Sequence, residues 1–300
     1  MPRDISLHKT SVRGYRPQNE DVERYNMNLS VDGYALVPEY APVDFFVICD
    51  GHGGSQVAEF VAPVLENYFM DRNLVYPVSQ GYLTKVYTVI QQELIGHPKR
   101  IARACGCTAL VLVRYLDNFG KKNIQVINIG DCRAVLSRKG LPIPLCKDHK
   151  PFWSDEKTRI DQVNETCKIP RKIYREHPQD DWRVGDLSVS RSFGDLDNTP
   201  HVTHIPESFH YKLQSDDEFI VLGCDGLYDA LQNHEVINFV RDHMNNNHIN
   251  LYNIPHRYPN PNAEPFNKEN IARKLADYAI ARGSTDNVSI FIIFFKKSKD

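Results

Sequence analysis

An α+β fold, with strands in antiparallel sheets and helices grouped apart from them, is predicted by three observations. Short runs rich in β-branched and aromatic residues recur along the chain. Consecutive runs are joined by connections too short to hold a crossover helix. Stretches with helical spacing of apolar residues fall elsewhere, so a doubly wound parallel sheet, which alternates strand and helix throughout, does not fit.

In chain order, DFFVIC before Asp50 is the first strand. Helical spacing follows over Gln56–Phe69, where Val57, Val61, Val64, Leu65 and Tyr68 share a face and Pro63 is expected to kink the helix or move its boundary. A second helix is expected over 78–94. The runs TALVLVRY from Thr108 and NIQVINIG from Asn123 are joined by LDNFGKK, and the next, RAVLSR from Arg133, follows the tight Gly130-Asp131-Cys132. These three strands are expected to form an antiparallel meander. Helices over 155–163, 234–243 and 268–281, a strand EFIVLGC before Asp225 and a strand NVSIFIIFF from Asn287 complete the set.

Two segments break the pattern. Residues 166–186 are polar, with a basic group Lys168, Arg171, Lys172 and Arg175, and residues 245–267 are rich in Asn, Pro and His. Both read as excursions from a packed body, the second as a surface insertion with too little apolar area to order itself.

Composition narrows the function classes. At 300 residues, 41% hydrophobic and 25% charged, the chain can bury a sizeable core and is neither disordered nor fibrous. A net charge of −2 carries no basic excess of the kind that marks nucleic-acid or anionic-membrane binding. The seven cysteines are an odd number and lie mostly in apolar runs, which favours reduced core thiols. Cys105 and Cys107 form a C-x-C without a second pair, so packing is favoured over zinc. The N-terminus lacks the apolar stretch of a signal peptide, and no run is long enough to span a membrane, so an intracellular protein of cytoplasm or nucleus is expected.

The chemistry lies in a recurrence at strand ends. FFVIC-Asp50-Gly-His-Gly-Gly, VINIG-Asp131, FIVLGC-Asp225-Gly-Leu-Tyr-Asp229 and Gly-Ser-Thr-Asp286-Asn-VSIFIIFF each set an aspartate against an apolar run. One such aspartate is an ordinary turn former or cap, but four demand another account. Carboxylates held together by rigid strands repel unless cations neutralise them, and oxygen donors without a His or Cys cluster select Mg²⁺ or Mn²⁺. The Gly51, Gly53 and Gly54 run permits close backbone approach, so the Gly51 carbonyl can itself serve as a ligand. His52, among those glycines, is a general-acid candidate. Near the N-terminus, Arg16 offers a planar fork for phosphate oxygens, close to Glu20 and Asp21.

With these residues in place, the chain resembles the PPM/PP2C family of metal-dependent protein serine/threonine phosphatases. The resemblance rests on eight motifs in family order over nearly the whole chain. They are Arg16 with Glu20 and Asp21, DGHGG from Asp50, GCTA from Gly106, INIGDCRAVL from Ile127, DHKP from Asp148, RVGDLSVSRSFGD from Arg183, CDGLYD from Cys224 and STDNVS from Ser284.

The resemblance implies a single domain over 1–300 with an αββα sandwich, two antiparallel sheets face to face with helices outside, and a binuclear Mg²⁺/Mn²⁺ site at one end. It implies that Asp50 bridges both metals, that the Gly51 carbonyl binds one and that Asp225 and Asp286 bind the other. Glu20 acts directly or through water, and Asp21 hydrogen-bonds metal waters. Arg16 holds the substrate phosphate and His52 protonates the leaving seryl or threonyl oxygen. Asp131 and Asp229 match positions tied to a weaker third metal in some members. A flap over about 152–186 departs from the family, because the usual Gly-Gly turn is replaced by VNETCKIPRKIYREHPQDDW.

The expected activity is hydrolysis of phosphoserine and phosphothreonine in protein substrates by a monomer, without nucleic-acid or membrane partners. Two divalent ions about 3.5 to 4 Å apart lower the pKa of a shared water and neutralise the phosphate, so no covalent nucleophile is required. None of the seven cysteines has an Arg six positions later in a Gly-rich loop, which agrees with that. Two other readings remain: a catalytically weak binding or regulatory protein on the same fold, and a two-metal phosphoesterase of another kind. Every principal ligand position carries its carboxylate, and no G-N-H motif is present.

Overall fold

The computed structural model describes residues 5–27, 29, 43–71, 73–244 and 270–296; the insertion expected over 245–267 lies outside them. Two five-stranded antiparallel sheets form the centre. The first is ordered Ile5–Val12, Val288–Phe295, Asp217–Gly223, Arg133–Arg138, Leu141–Pro144. The second is ordered Glu207–Lys212, Lys122–Ile129, Ala109–Leu116, Asp44–Cys49, Val22–Met27.

The apolar runs are continuous because both faces of each central strand are covered. Along Asp44–Cys49, Phe46 and Ile48 point into a core shared with Ile220, Leu222, Phe291 and Ile293 of the other sheet. The alternate residues Phe45, Val47 and Cys49 pack instead on Val57, Val61 and Leu65 of helix Gln56–Phe69 and on Leu83, Tyr87 and Ile90 of helix Gln80–Ile95. On the opposite side, Phe219, Val221, Ile290 and Ile292 meet Val236, Phe239 and Val240 of helix Asn233–Met244 and Leu275, Ala276 and Ala279 of helix Ile271–Ala281. The layers are therefore helix, sheet, sheet, helix, as the resemblance implies. Among the described residues, no helix is long and apolar enough to cross a membrane.

Three expectations are corrected. Arg133–Arg138 does not extend a meander: Lys122–Ile129 already has Ala109–Leu116 on one edge and Glu207–Lys212 on the other. Residues 130–132 thus carry the chain from one sheet to the other, with Gly130 at φ +99 making the turn. Helix Gln56–Phe69 runs through Pro63, so the boundary shift, one of its two expected effects, does not occur; the buried stripe outweighs the lost backbone bond. The second helix starts at Gln80, because Ser79 caps it by accepting from the Tyr82 amide at 3.3 Å, while the Val78 amide is taken by Gln125 at 2.7 Å.

All seven cysteines are free thiols, six of them buried, and Cys105 and Cys107 are packed in the core, in keeping with reduced thiols and against a C-x-C metal site. Residues 166–186 leave helix Ser154–Thr166 and return through a short hairpin pairing Ile173–Tyr174 with Arg183–Val184. Two of the basic side chains are used locally: Arg171 donates to Asn198 at 2.7 Å, and Arg175 lies 4.7 Å from the Trp182 ring centre.

Candidate metal and phosphate site

Strand ends of both sheets open into one cleft of about 600 Å³. Its wall includes Arg16, Glu20, Asp50, Gly51, His52, Asp131, Asp225 and Asp286, so the structure brings together eight of the ten residues singled out in the sequence. Asp21 lies behind this wall: both of its carboxylate oxygens are buried without a hydrogen-bond partner among the described residues. One of its oxygens, one of Asp50 and the Cys224 thiol lie within 4.8 Å of one another. Asp229 is not brought into the wall and remains exposed, at the end of the short helix Asp225–Tyr228.

Each carboxylate is placed by its backbone. Asp50 follows the central strand Asp44–Cys49, and its amide and carbonyl are both bonded to Thr108, at 3.2 Å through the side chain and 2.9 Å through the backbone. Gly51 sits against Glu20: a Cβ there would stand 2.4 Å from the Glu20 carbonyl oxygen, so only glycine lets the two segments meet. Asp225 starts the short helix just after strand Asp217–Gly223. Asn287 ties the chain ends together, accepting from the Glu20 amide at 2.8 Å and donating to the carbonyls of Arg13 at 2.7 Å and Gln18 at 2.9 Å.

The electrostatics are those of crowded acids. Burial pushes the Asp50 carboxyl well above the usual range, and Asp225, Asp21, Asp131 and Asp286 add to it. Asp225 is raised in the same way, first by burial and then by Asp131, Asp229 and Asp286. Burial lifts Asp21 to about 6. Fixed protein cations meet only the edges of this set. Arg16 donates to Asp286 at 2.6 Å, and the Lys150 ammonium is paired with Asp131. Lys150 is held charged despite its burial by Asp131, Asp229 and Asp225. Burial drives the Cys224 thiol far up, and it donates to the Asn287 carbonyl at 3.3 Å.

His52 is 30% exposed and bonds through Nε2 to both oxygens of Asp195, at 2.8 and 2.9 Å. Burial opposes its charge, but the Asp195 bond and the charges of Asp195, Asp131 and Glu20 outweigh burial and raise its pKa.

Sequence reasoning missed Thr108, Lys150, Asp195 and Asn287. Each lies inside a quoted motif, GCTA, DHKP, the run from Arg183 and STDNVS, but nothing in residue type told them from packing residues.

Comparison with known proteins gives concordant matches. The family model described as Protein phosphatase 2C matches residues 5–288. A PP2C-like domain-containing protein of Acanthamoeba polyphaga mimivirus is 67% identical over 177 residues, 59% of this chain and 97% of that protein. A probable protein phosphatase 2C of Oryza sativa subsp. japonica is 30% identical over 98% of this chain and 67% of its own. Among solved structures, a phosphatase from a pathogenic strain of Toxoplasma gondii superposes with a TM-score of 0.74 at 20% identity, covering 98% of this chain and 93% of that one.

Proposed function

Since this chain belongs to the protein phosphatase 2C family, we propose that it is a serine/threonine protein phosphatase. It hydrolyses phosphoserine and phosphothreonine monoesters with water activated at a binuclear Mg²⁺ or Mn²⁺ centre. The observation that carries this reading is the Asp21 carboxylate, buried without a partner beside an equally crowded Asp50. Buried acids in this state are incomplete without cations, and an all-oxygen donor set fits hard divalent ions. Asp50 and the Gly51 carbonyl would hold one ion, and Asp50, Asp225 and Asp286 the other. Glu20 would act directly or through water, and Asp21 through metal waters. Asp131 and Asp229 are proposed for a weaker third ion.

The bound ions supply a water of lowered pKa and neutralise the phosphate dianion. The remaining steps fall to side chains. Arg16, anchored by one terminal nitrogen to Asp286, keeps other N–H donors for phosphate oxygens. His52 carries a proton at the cleft and gives it to the departing seryl or threonyl oxygen. The substrates are phosphoproteins, met by a monomeric single domain.

Purified protein is expected to release phosphate from a phosphothreonine peptide only with Mn²⁺ or Mg²⁺, and Asp225→Ala is expected to stop it. Absence of metal-dependent release, or activity surviving in Asp225→Ala, overturns the reading.

A further inference from the structure

We propose that Asp195 is a positioning residue for the reaction: it fixes the His52 ring so that one nitrogen alone is left for the leaving oxygen of the substrate. This rests on the reading of His52 as proton donor.

A small sheet brings the two side chains together. Its three strands are ordered Phe193–Gly194, Gly106–Cys107, Gly51–His52, so Gly106 pairs with His52 on one side and with Gly194 on the other. His52 and the residue after Gly194 therefore meet over a single glycine. A Cβ on Gly106 would stand 2.2 Å from Asp195 Oδ2 and 2.6 Å from His52 Nε2. Only glycine lets the imidazole and the carboxylate close over that position, which gives the glycine of GCTA a chemical reason.

Asp195 is built to stay where it is. It is 2% exposed and adopts left-handed backbone geometry at φ +49, uncommon for a residue with a side chain. Buried Gln91 clamps the turn, its Oε1 accepting from the Gly194 amide and its Nε2 donating to the Gly194 carbonyl, both at 2.9 Å. The Asn198 amide donates to the Asp195 carbonyl at 2.8 Å, and the Ser192 hydroxyl donates to Oδ2.

A carboxylate only accepts, so its bond at 2.8 to 2.9 Å places a hydrogen on His52 Nε2 and leaves Nδ1 as the second ring nitrogen. In the hydrolysis, the water oxygen forms the new bond to phosphorus. The bond from phosphorus to the seryl or threonyl Oγ breaks with its electron pair on Oγ. Oγ takes the proton from Nδ1, and solvent later returns one to the ring. Asp195 makes and breaks no bond; it removes the ring's freedom to turn away.

The test compares two leaving groups on the Mn²⁺-saturated protein. A threonyl oxygen needs a proton to depart, whereas para-nitrophenyl phosphate releases a stabilised phenolate that does not. Asp195→Asn is expected to lower kcat for a phosphothreonine peptide about 10- to 100-fold, with KM changed less than about twofold, and to lower it at least about tenfold more than kcat for para-nitrophenyl phosphate. His52→Gln is expected to show the same selectivity, and the double variant to be no slower on the peptide than His52→Gln alone. If Asp195→Asn does not fold, Ser192→Ala, which removes one of the two bonds on Asp195 Oδ2, is expected to show the same bias at about threefold. Equal losses on both substrates, or none on either, overturn the role of Asp195 and leave it a loop anchor. A wild-type protein inactive on both substrates instead overturns the proposed function, and this inference with it.

Discussion

Two clusters of carboxylates differ in the cations around them. At the base of the flap, Glu156 is 3% exposed and meets Arg191 at 2.6 Å and Arg159 at 2.9 Å. Burial opposes its charge, yet the two guanidiniums win and hold the carboxyl down at about 2. In the cleft, Asp21 and Asp50 have no such escort and Lys150 offsets Asp225 only in part, so burial with mutual repulsion pushes all three up. The first cluster is finished by the sequence itself. The second is left without compensation by the protein, which is the mark expected of the proposed binding site and not of a structural ion network.

The comparison is broken most sharply by deleting one acid from each cluster. Asp50→Ala is expected to cut metal-dependent phosphopeptide hydrolysis by at least on the order of 10²- to 10³-fold, read by phosphate release, while the protein remains folded. Glu156→Gln is expected to cost about 3 kcal/mol of stability by denaturant unfolding, because Arg191 and Arg159 are left facing a neutral group.

Acidity sharpens the contrast next. Asp21, raised from 3.8 to about 6, contributes stability that is fully present below pH 3.8 and lost as pH rises through about 6. Glu156, lowered from 4.5 to about 2, contributes stability present above pH 4.5 and lost as pH falls toward 2. The Tm of metal-free protein is therefore expected to peak between about pH 3.8 and 4.5, where the two slopes cancel, and saturating Mn²⁺ is expected to remove the decline on the alkaline side. A peak above pH 7 in chelator would contradict the account. The smallest effect belongs to the exposed Lys157–Asp161 pair, where Lys157→Ala is expected to change stability by less than about 0.5 kcal/mol.

Much of this was legible in the sequence because its causes are local. Runs such as DFFVIC and NVSIFIIFF read as strands since both faces of each strand are apolar. Strand-end aspartates were visible because the strands stop where the acids begin. Strands Ile5–Val12, Val22–Met27, Leu141–Pro144 and Glu207–Lys212 escaped notice: they are sheet edges, and their residues are mixed in character. The crossing at 130–132 was misread because a tight turn resembles a hairpin until a distant strand, Glu207–Lys212, claims the neighbouring edge. Asp195 and Lys150 were hidden for the same reason, since their partners stand 143 and 19 residues away.

The bonds of Asn287 have a consequence in time. The strand Val288–Phe295 lies between Ile5–Val12 and Asp217–Gly223, and Asn287 just before it grips the segment that bears Arg16 and Glu20 across 267 residues of sequence. Until that strand is in place, Glu20 has its contact with Gly51 but Arg16 lacks Asp286 and the segment lacks the bonds of Asn287. Fastening the segment that bears Arg16 and Glu20 thus depends on contacts of very high sequence separation, which are expected to form late in folding.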